Sequence, residues 1–287
     1  MISVIIPAHN EEAVIGRCLE ALTGGAEDGE LEVIVVCNGC TDRTAAVARE
    51  YRACVQVIET DVACKIPALN LGDEAARGFP RFFVDADVVL PLGSLRKLAR
   101  GLEEGPALAI APRAEFDLRG CSWGVRAYYA INDRLPTSRE GIGGSGVYGL
   151  SEAGRRRFDR FPDLTADDGF VRLQFAPSER ETLQDCRSIV FAPKTVKDLI
   201  AIMTRAHYGT CELREKLPGA WGNLGPKNKS ELRRLCLRFW LWPQLLIYAY
   251  VKVMARIRSR QRIKARGTGW ERDQTSRRTP SAASAKV

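Results

Sequence analysis

Residues 2–22 read ISVIIPAHNEEAVIGRCLEAL. The β-branched run at the start is a strand signal, and Pro7 stops it. Beyond it, apolar residues fall at Val14, Ile15, Cys18, Leu19 and Leu22, which is the spacing of a helix with one buried face. Asn10 stands where an N-cap is expected, with Glu11 and Glu12 in the first turn, where the helix dipole favours acids. The stretch is therefore strand, polar loop, helix.

The same unit recurs. LEVIVV (31–36) precedes DRTAAVAREY (42–51), with Thr41 or Asp42 as the expected cap. VQVIE (55–59) precedes KIPALNLGDEAAR (65–77), with Pro67 in the first helical turn. RFFVD (81–85) precedes LGSLRKLARGLEE (92–104), and ALAIAPR (107–113) reads as a fifth strand. The strands are continuous apolar runs rather than alternating ones. That is the pattern of an α/β fold with a mostly parallel sheet flanked by helices.

In such sheets the ligand lies at the carboxyl ends of the strands. Three loops stand there: Pro7-Ala8-His9-Asn10-Glu11, then Cys37-Asn38-Gly39-Cys40-Thr41-Asp42, then Asp85-Ala86-Asp87. They are acidic and amide-rich, and no glycine-rich phosphate loop is among them. Asp85 and Asp87, two carboxylates at i and i+2 past a strand, suit a hard divalent cation, Mg²⁺ or Mn²⁺, which fills its other positions with water and diphosphate oxygens. The competing reading is an acidic turn. Asn10, Glu11, Asn38 and Asp42 are suited to a ribose hydroxyl or a base edge, or simply to capping helices. His9 reads as a pocket wall, since no second histidine is near it.

The second half is less regular. GIGGSGVYGL (141–150) is a glycine-rich loop entering a strand, and Ser151 is placed to cap the next helix. PDLTADDGFVRLQF (162–175) puts Asp167 and Asp168 at a loop-to-helix junction. CRSIVFAP (186–193) is a strand, and residues 195–217 form a long helix. PGAWGNLGPKNKS (218–230) reads as a flexible linker. Residues 231–266 read as an amphipathic, membrane-associating helix rich in Trp and Tyr and flanked by Arg and Lys. A core or dimer helix, or a true span, are the other readings of its apolar part, 239–255. Residues 267–287 read as a disordered basic tail.

Composition bounds the function. The net charge of the 287 residues is +8, and residues 256–287 alone carry ten Lys/Arg against Glu271 and Asp273. The basic charge belongs to the tail, so nucleic-acid binding by the whole chain is not expected and attraction to a membrane surface is. Nine cysteines, an odd number at scattered spacing, argue against a secreted disulfide scaffold. The N-terminus has no basic run and no cleavage site, so no signal peptide is expected.

The motifs SVIIPAHNEEAVIGRCLEAL, VIVVCNGCTDRT, KIPALNLG, FFVDADVVL and TADDGFVRL occur in this order within residues 1–210. Together they resemble family 2 glycosyltransferases of the GT-A fold, non-processive and bacterial in type. The resemblance implies a catalytic domain over residues 1–217, with a nucleotide-binding half (1–113) and an acceptor half (114–217). It implies that Pro7, Ala8, His9, Asn10, Glu11, Asn38, Asp42, Lys65, Asp85 and Ala86 border the nucleotide. Asp85 and Asp87 would hold the metal on the diphosphate, Asp168 beside Asp167 would be the catalytic base, and Arg205 and His207 would meet the diphosphate.

The implied reaction is inverting transfer of one sugar from a nucleotide-diphosphate sugar to an acceptor, with a divalent cation. The amphipathic segment 239–255 and the basic tail, rather than the resemblance, point to a lipid-linked or glycan acceptor and to the cytoplasmic face of a membrane, with a homodimer allowed. Asn38 stands where the family more often has an acid, and Cys40 where it has serine. The Gln-x-x-Arg-Trp motif of processive members is absent; the helix reads IMTRAHYG (202–209), keeping only Arg205. Three rivals remain at this stage: a thiol–disulfide oxidoreductase using Cys37 and Cys40, a nucleotidyltransferase, and a non-catalytic nucleotide-binding protein.

Overall fold

The computed structural model describes residues 1–51, 54–225 and 228–264. Eight strands form one mixed sheet: β1 (Ile2–Ala8), β2 (Leu31–Asn38), β3 (Val55–Thr60), β4 (Arg81–Val84), β5 (Val88–Val89), β6 (Ala109–Asp117), β7 (Val147–Leu150) and β8 (Arg180–Phe191). Their spatial order is β3-β2-β1-β4-β7-β6-β8-β5. The β3-β2-β1-β4 half is parallel throughout, as the apolar runs required. β1 and β2 pair from Ile2↔Leu31 to Ala8↔Cys37, so their polar ends finish at one level. β7 is antiparallel to both β4 and β6. β5, two residues long and too short to show in the sequence, pairs antiparallel with β8.

Between the strands lie α1 (Ile15–Thr23), α2 (Thr44–Arg49), α3 (Lys65–Ala75) and α4 (Leu92–Glu104). Ile15, Cys18, Leu19 and Leu22 of α1 are fully buried against the sheet, as their spacing predicts. α3 packs on β1 and β2 from the other side, through Leu69 against Ile5 and Phe83. Each fully buried Leu or Ile of this kind contributes about 1.5–3 kcal/mol. Contact is close at Gly72, where an added Cβ would lie 2.5 Å from Ile5 Cγ2 and 3.1 Å from Val36 Cγ2.

The later helices are α5 (Trp123–Asn132), α6 (Glu152–Arg155), α7 (Asp167–Gln174), α8 (Val196–Lys216), α9 (Lys229–Cys236) and α10 (Trp242–Lys264). Ser151 caps α6 by accepting from the Gly154 N–H at 3.1 Å.

Four expectations are corrected. α1 starts at Ile15, not after Asn10. Asn10 adopts a left-handed φ of 53°, and the Glu11 carbonyl opens the first turn by accepting from the Val14 and Ile15 N–H groups. Residues 113 and 114 do not divide the domain, because β6 runs through them.

Residues 218–224 are a 3₁₀ segment tied to the domain rather than a loose linker. Asn223 Nδ2 donates to the Leu173 carbonyl at 2.9 Å, and Trp221 and Leu224 pack on the second core cluster. Residues 231–264 form α9, a short turn and α10 rather than one helix, with Pro243 in the first turn of α10. The tail expected over 267–287 lies outside the described residues.

Gly72→Ala is expected to destabilise the domain. Overpacking a tight core costs about 1–3 kcal/mol and a better helix former returns at most about 1 kcal/mol. A lower urea midpoint with an unchanged slope is the expected reading; an unchanged midpoint would mean that the α3–β1 contact yields without cost.

Candidate functional site

A cleft of about 210 Å³ opens at the carboxyl ends of β1, β2 and β4. This is where strand order reverses, since β2 and β4 follow on opposite sides of β1. Of the residues singled out in the sequence, Pro7, His9, Glu11, Asn38, Lys65, Asp85, Ala86, Asp87, Asp167, Asp168 and Arg205 line it. Its charged lining is five acids against Lys65 and Arg205.

Asp85-Ala86-Asp87 is built where the chain leaves β4. The Asp85 N–H donates to the Gly146 carbonyl at 2.8 Å, and the Asp85 carbonyl accepts from the Val88 N–H at 3.1 Å, closing a turn. Gly146 has a φ of +65°, and a Cβ there would lie 2.5 Å from Val88 Cγ2 and 3.2 Å from Asp85 Oδ2. Only glycine lets the β7 loop approach Asp85 and Val88 so closely. On the far side Arg17 lies over the Phe191 ring at 3.6 Å and donates to the Asp87 carbonyl at 3.3 Å.

Lys65, the first residue of α3, joins the two acidic groups. Its Nζ is 2.8 Å from Asp85 Oδ1 and 2.9 Å from Asp167 Oδ1. Burial works against its charge, but Asp167 and then Asp85 outweigh burial and hold the ammonium above its ordinary range. Asp167 is itself buried, and its Oδ2 accepts from the Tyr148 hydroxyl at 3.3 Å.

Asp168, one residue on, is half-buried and faces the cleft. Its Oδ1 accepts from the Gly169 N–H at 2.6 Å. Burial, and then repulsion from Asp167, raise its pKa to about 6, with Lys65 pulling the other way. Asp167 is thus engaged by Lys65 and Tyr148, while Asp168 faces the cleft with its pKa raised above the ordinary carboxylate range.

Asp85 and Asp87 both line the cleft and have the oxygen chemistry a hard divalent cation takes, with Asp85 Oδ1 engaged by Lys65 Nζ at 2.8 Å. Among the described residues no group of three or more His, Cys, Asp or Glu is arranged as a complete cage.

Four expected residues lie off the cleft. Ala8 is buried within β1, and its carbonyl accepts from the Cys40 thiol at 3.3 Å. Asn10 and Asp42 tie the two strand-end loops together. Asn10 Oδ1 accepts from the Thr41 N–H at 2.8 Å, and Asp42 accepts from the Glu12 N–H at 3.1 Å and the Thr44 N–H at 3.0 Å. His207 points away from the cleft, with its Nδ1 3.4 Å from Ser259 Oγ of α10.

Cys37 is buried and its thiol is pushed up to about 12, first by burial and then by Cys40. A thiol so disfavoured as thiolate is a poor exchange nucleophile, which argues against the oxidoreductase reading. Gly143, Gly146, Tyr148, Thr165 and Ile202 also line the cleft and were not singled out. The GIGGSGVYGL stretch was the available signal: its glycines mark a close backbone approach.

The profile of Glycosyl transferase family 2 matches residues 3–158. The chain belongs to this family. Among curated relatives, the low-salt glycan biosynthesis hexosyltransferase Agl6 of Haloferax volcanii is 30% identical over 177 residues, 61% of this chain and 42% of the relative. A dolichyl-phosphate beta-glucosyltransferase of Drosophila melanogaster is 33% identical over 149 residues, 47% of this chain and 43% of the relative. The matches span less than half the length of these curated relatives.

Among solved structures, the mannosyltransferase PcManGT from Pyrobaculum calidifontis, in complex with GDP-Man and Mn²⁺, superposes with a TM-score of 0.64 at 19% identity. The superposition covers 90% of this chain and 86% of that one. The likeness shows the fold: a GT-A type mixed sheet with flanking helices.

Removing the Lys65 ammonium removes the attraction that restrains Asp168. In Lys65→Met, the Asp168 titration midpoint, followed by carboxyl NMR, is expected above that of the wild type. An unmoved midpoint would show that Lys65 does not act on the acid pair.

Proposed function

We propose that the chain is an inverting glycosyltransferase that moves one sugar from a nucleotide-diphosphate sugar to a lipid-linked or glycan acceptor. The observation that carries this reading is the convergence of Asp85-Ala86-Asp87 and Asp167-Asp168 on one cleft through Lys65.

Donor binding follows from the charges. A diphosphate is an anion, and the cleft lining has three more acids than bases. A divalent cation reconciles the two. Asp87 and Asp85 are the residues that would hold it, and when bound it supplies charge to the leaving diphosphate. Arg205, on α8 at the cleft wall, adds a second positive group there. Asn38, His9 and Glu11 line the nucleotide end; a neutral Asn38 leaves both donor and acceptor groups for a base edge.

Asp168 takes the proton from the acceptor hydroxyl as its oxygen attacks the anomeric carbon. The bond from that carbon to the diphosphate oxygen breaks on the opposite face, the nucleoside diphosphate leaves, and the centre inverts. Asp167 and Tyr148 fix the acid pair so that Asp168 faces the attacking group. The lipid-linked or glycan acceptor is supported by two relatives whose names mention glycan biosynthesis and a dolichyl phosphate.

Asp168→Asn is expected to lower transfer by about 10²–10⁴-fold. Wild-type turnover should rise with pH through about 6, where Asp168 loses its proton. The stability effect runs the other way. The folded state holds this proton more tightly than an ordinary carboxylate of pKa 3.8, so stability falls as pH rises from 3.8 to about 6 and the loss persists above it. Asp168→Asn should therefore be more stable than wild type at pH above this window. A variant that transfers sugar at the wild-type rate would remove Asp168 as the base. Inverted anomeric configuration in the product, read by NMR, is the companion result; retention would exclude single displacement.

A further inference from the structure

α10 has two apolar faces, and the domain uses only one. Tyr248, Val251 and Ala255 are buried against α5 and α8, with the Tyr248 ring stacked 5.1 Å from Tyr128. On the opposite side Trp242, Leu246, Tyr250, Val253 and Ile257 are 44–71% exposed. Their spacing of three or four residues makes one continuous stripe. At 1.5 Å per residue it is about 22 Å long. The turn just before it adds Leu237, Phe239 and Trp240, exposed by 85%, 71% and 60%. A stripe of this extent is not the scattered exposure of an ordinary surface.

The charges around the stripe decide what covers it. Residues 231–263 hold eight Lys/Arg and one acid, Glu231. Arg233, Arg234 and Arg238 are exposed at one end, and Arg256, Arg258 and Arg260 at the other. A second copy of the chain, docked by symmetry, would bring two such basic faces together, which repel. An acidic surface with an apolar interior satisfies both parts at once. Trp and Tyr are the side chains that settle at the level of lipid headgroups, and arginine pairs with their phosphates. Among the described residues no helix is long and apolar enough to cross a membrane, so a bilayer would meet the stripe as a helix lying in its surface.

We propose that the outward face of α10 and the turn before it seat the protein on an anionic lipid bilayer. α8 lies between this face and the cleft. It packs on α10, while its Ile202, Arg205 and Ala206 line the cleft. The seat is therefore connected to the cleft wall through α10 and α8, a connection whose use rests on the lipid-linked acceptor proposed above.

The test is flotation of the full chain with vesicles of phosphatidylcholine alone and of phosphatidylcholine with phosphatidylglycerol in equal parts. The wild type floats with the anionic vesicles. Trp242→Ser combined with Leu246→Ser weakens that binding by at least about ten-fold. Both side chains are more than half exposed and the pair gives up one internal bond, Trp242 Nε1–H to the Cys236 carbonyl, so an unchanged melt and unchanged binding of nucleoside diphosphate with Mn²⁺ are the expected controls. A wild type that does not float with anionic vesicles, or a double variant that floats as well as wild type, overturns the proposal. So does a wild-type dimer in sedimentation that the double variant splits, because a second copy then covers the face. If flotation holds and no nucleotide binds, the membrane seat stands and the transferase reading falls.

Discussion

The Lys65 ammonium sits between carboxylates that reach it from different parts of the fold. Asp85 comes from the end of a parallel strand, and Asp167 from the first turn of α7. Without a cation between them these acids would repel at short range in a partly dry cleft, and the cost of an unpaired buried charge is several kcal/mol. With it they form one unit. Gly146 and Tyr148, at the β7 entrance, serve the same unit: one lets the backbone close on Asp85, the other bonds Asp167. The architecture of the site is therefore that of an acidic cleft whose two ends are linked by one lysine.

Such a cleft is costly to keep, and the tuning of Asp168 shows the compensation. Burial and Asp167 oppose its ionisation, while Lys65 favours it. The balance leaves Asp168 with a raised pKa, beside the more deeply buried Asp167. Under the proposed function, a substitution that stabilises the fold at Asp168 is also the one expected to lower transfer.

Much of this was legible in the sequence. The parallel half was readable because β1, β2 and β4 are buried on both faces and so appear as unbroken apolar runs, while β3, at the sheet edge, mixes apolar with exposed polar residues. The strand-end loops followed from that, and eleven of the cleft residues were among those singled out. The rest was hidden for physical reasons. The Lys65–Asp167 contact is a long-range pairing that no local pattern records. Asn10 and Asp42 have the chemistry of nucleotide ligands and of loop staples alike; only geometry separates the two. The mixed order of β5, β7 and β8 rests on pairings across the sheet rather than on local periodicity. The stretch 231–264 carried a helical, amphipathic signal, but the break before Trp242 and the fact that one apolar face is already spent on the core needed coordinates.

The proposed transfer requires Asp85 and Asp87 to hold a metal and a nucleoside diphosphate in the cleft that Lys65 organises. A thermal melt of wild type and Asp87→Asn with UDP or GDP, each with and without Mn²⁺, tests it most directly. The account predicts stabilisation of about 2.7 kcal/mol at a hundred-fold excess over the dissociation constant. That stabilisation requires nucleotide and metal together and is lost in Asp87→Asn. A shift that needs no metal, or that survives in Asp87→Asn, would contradict it.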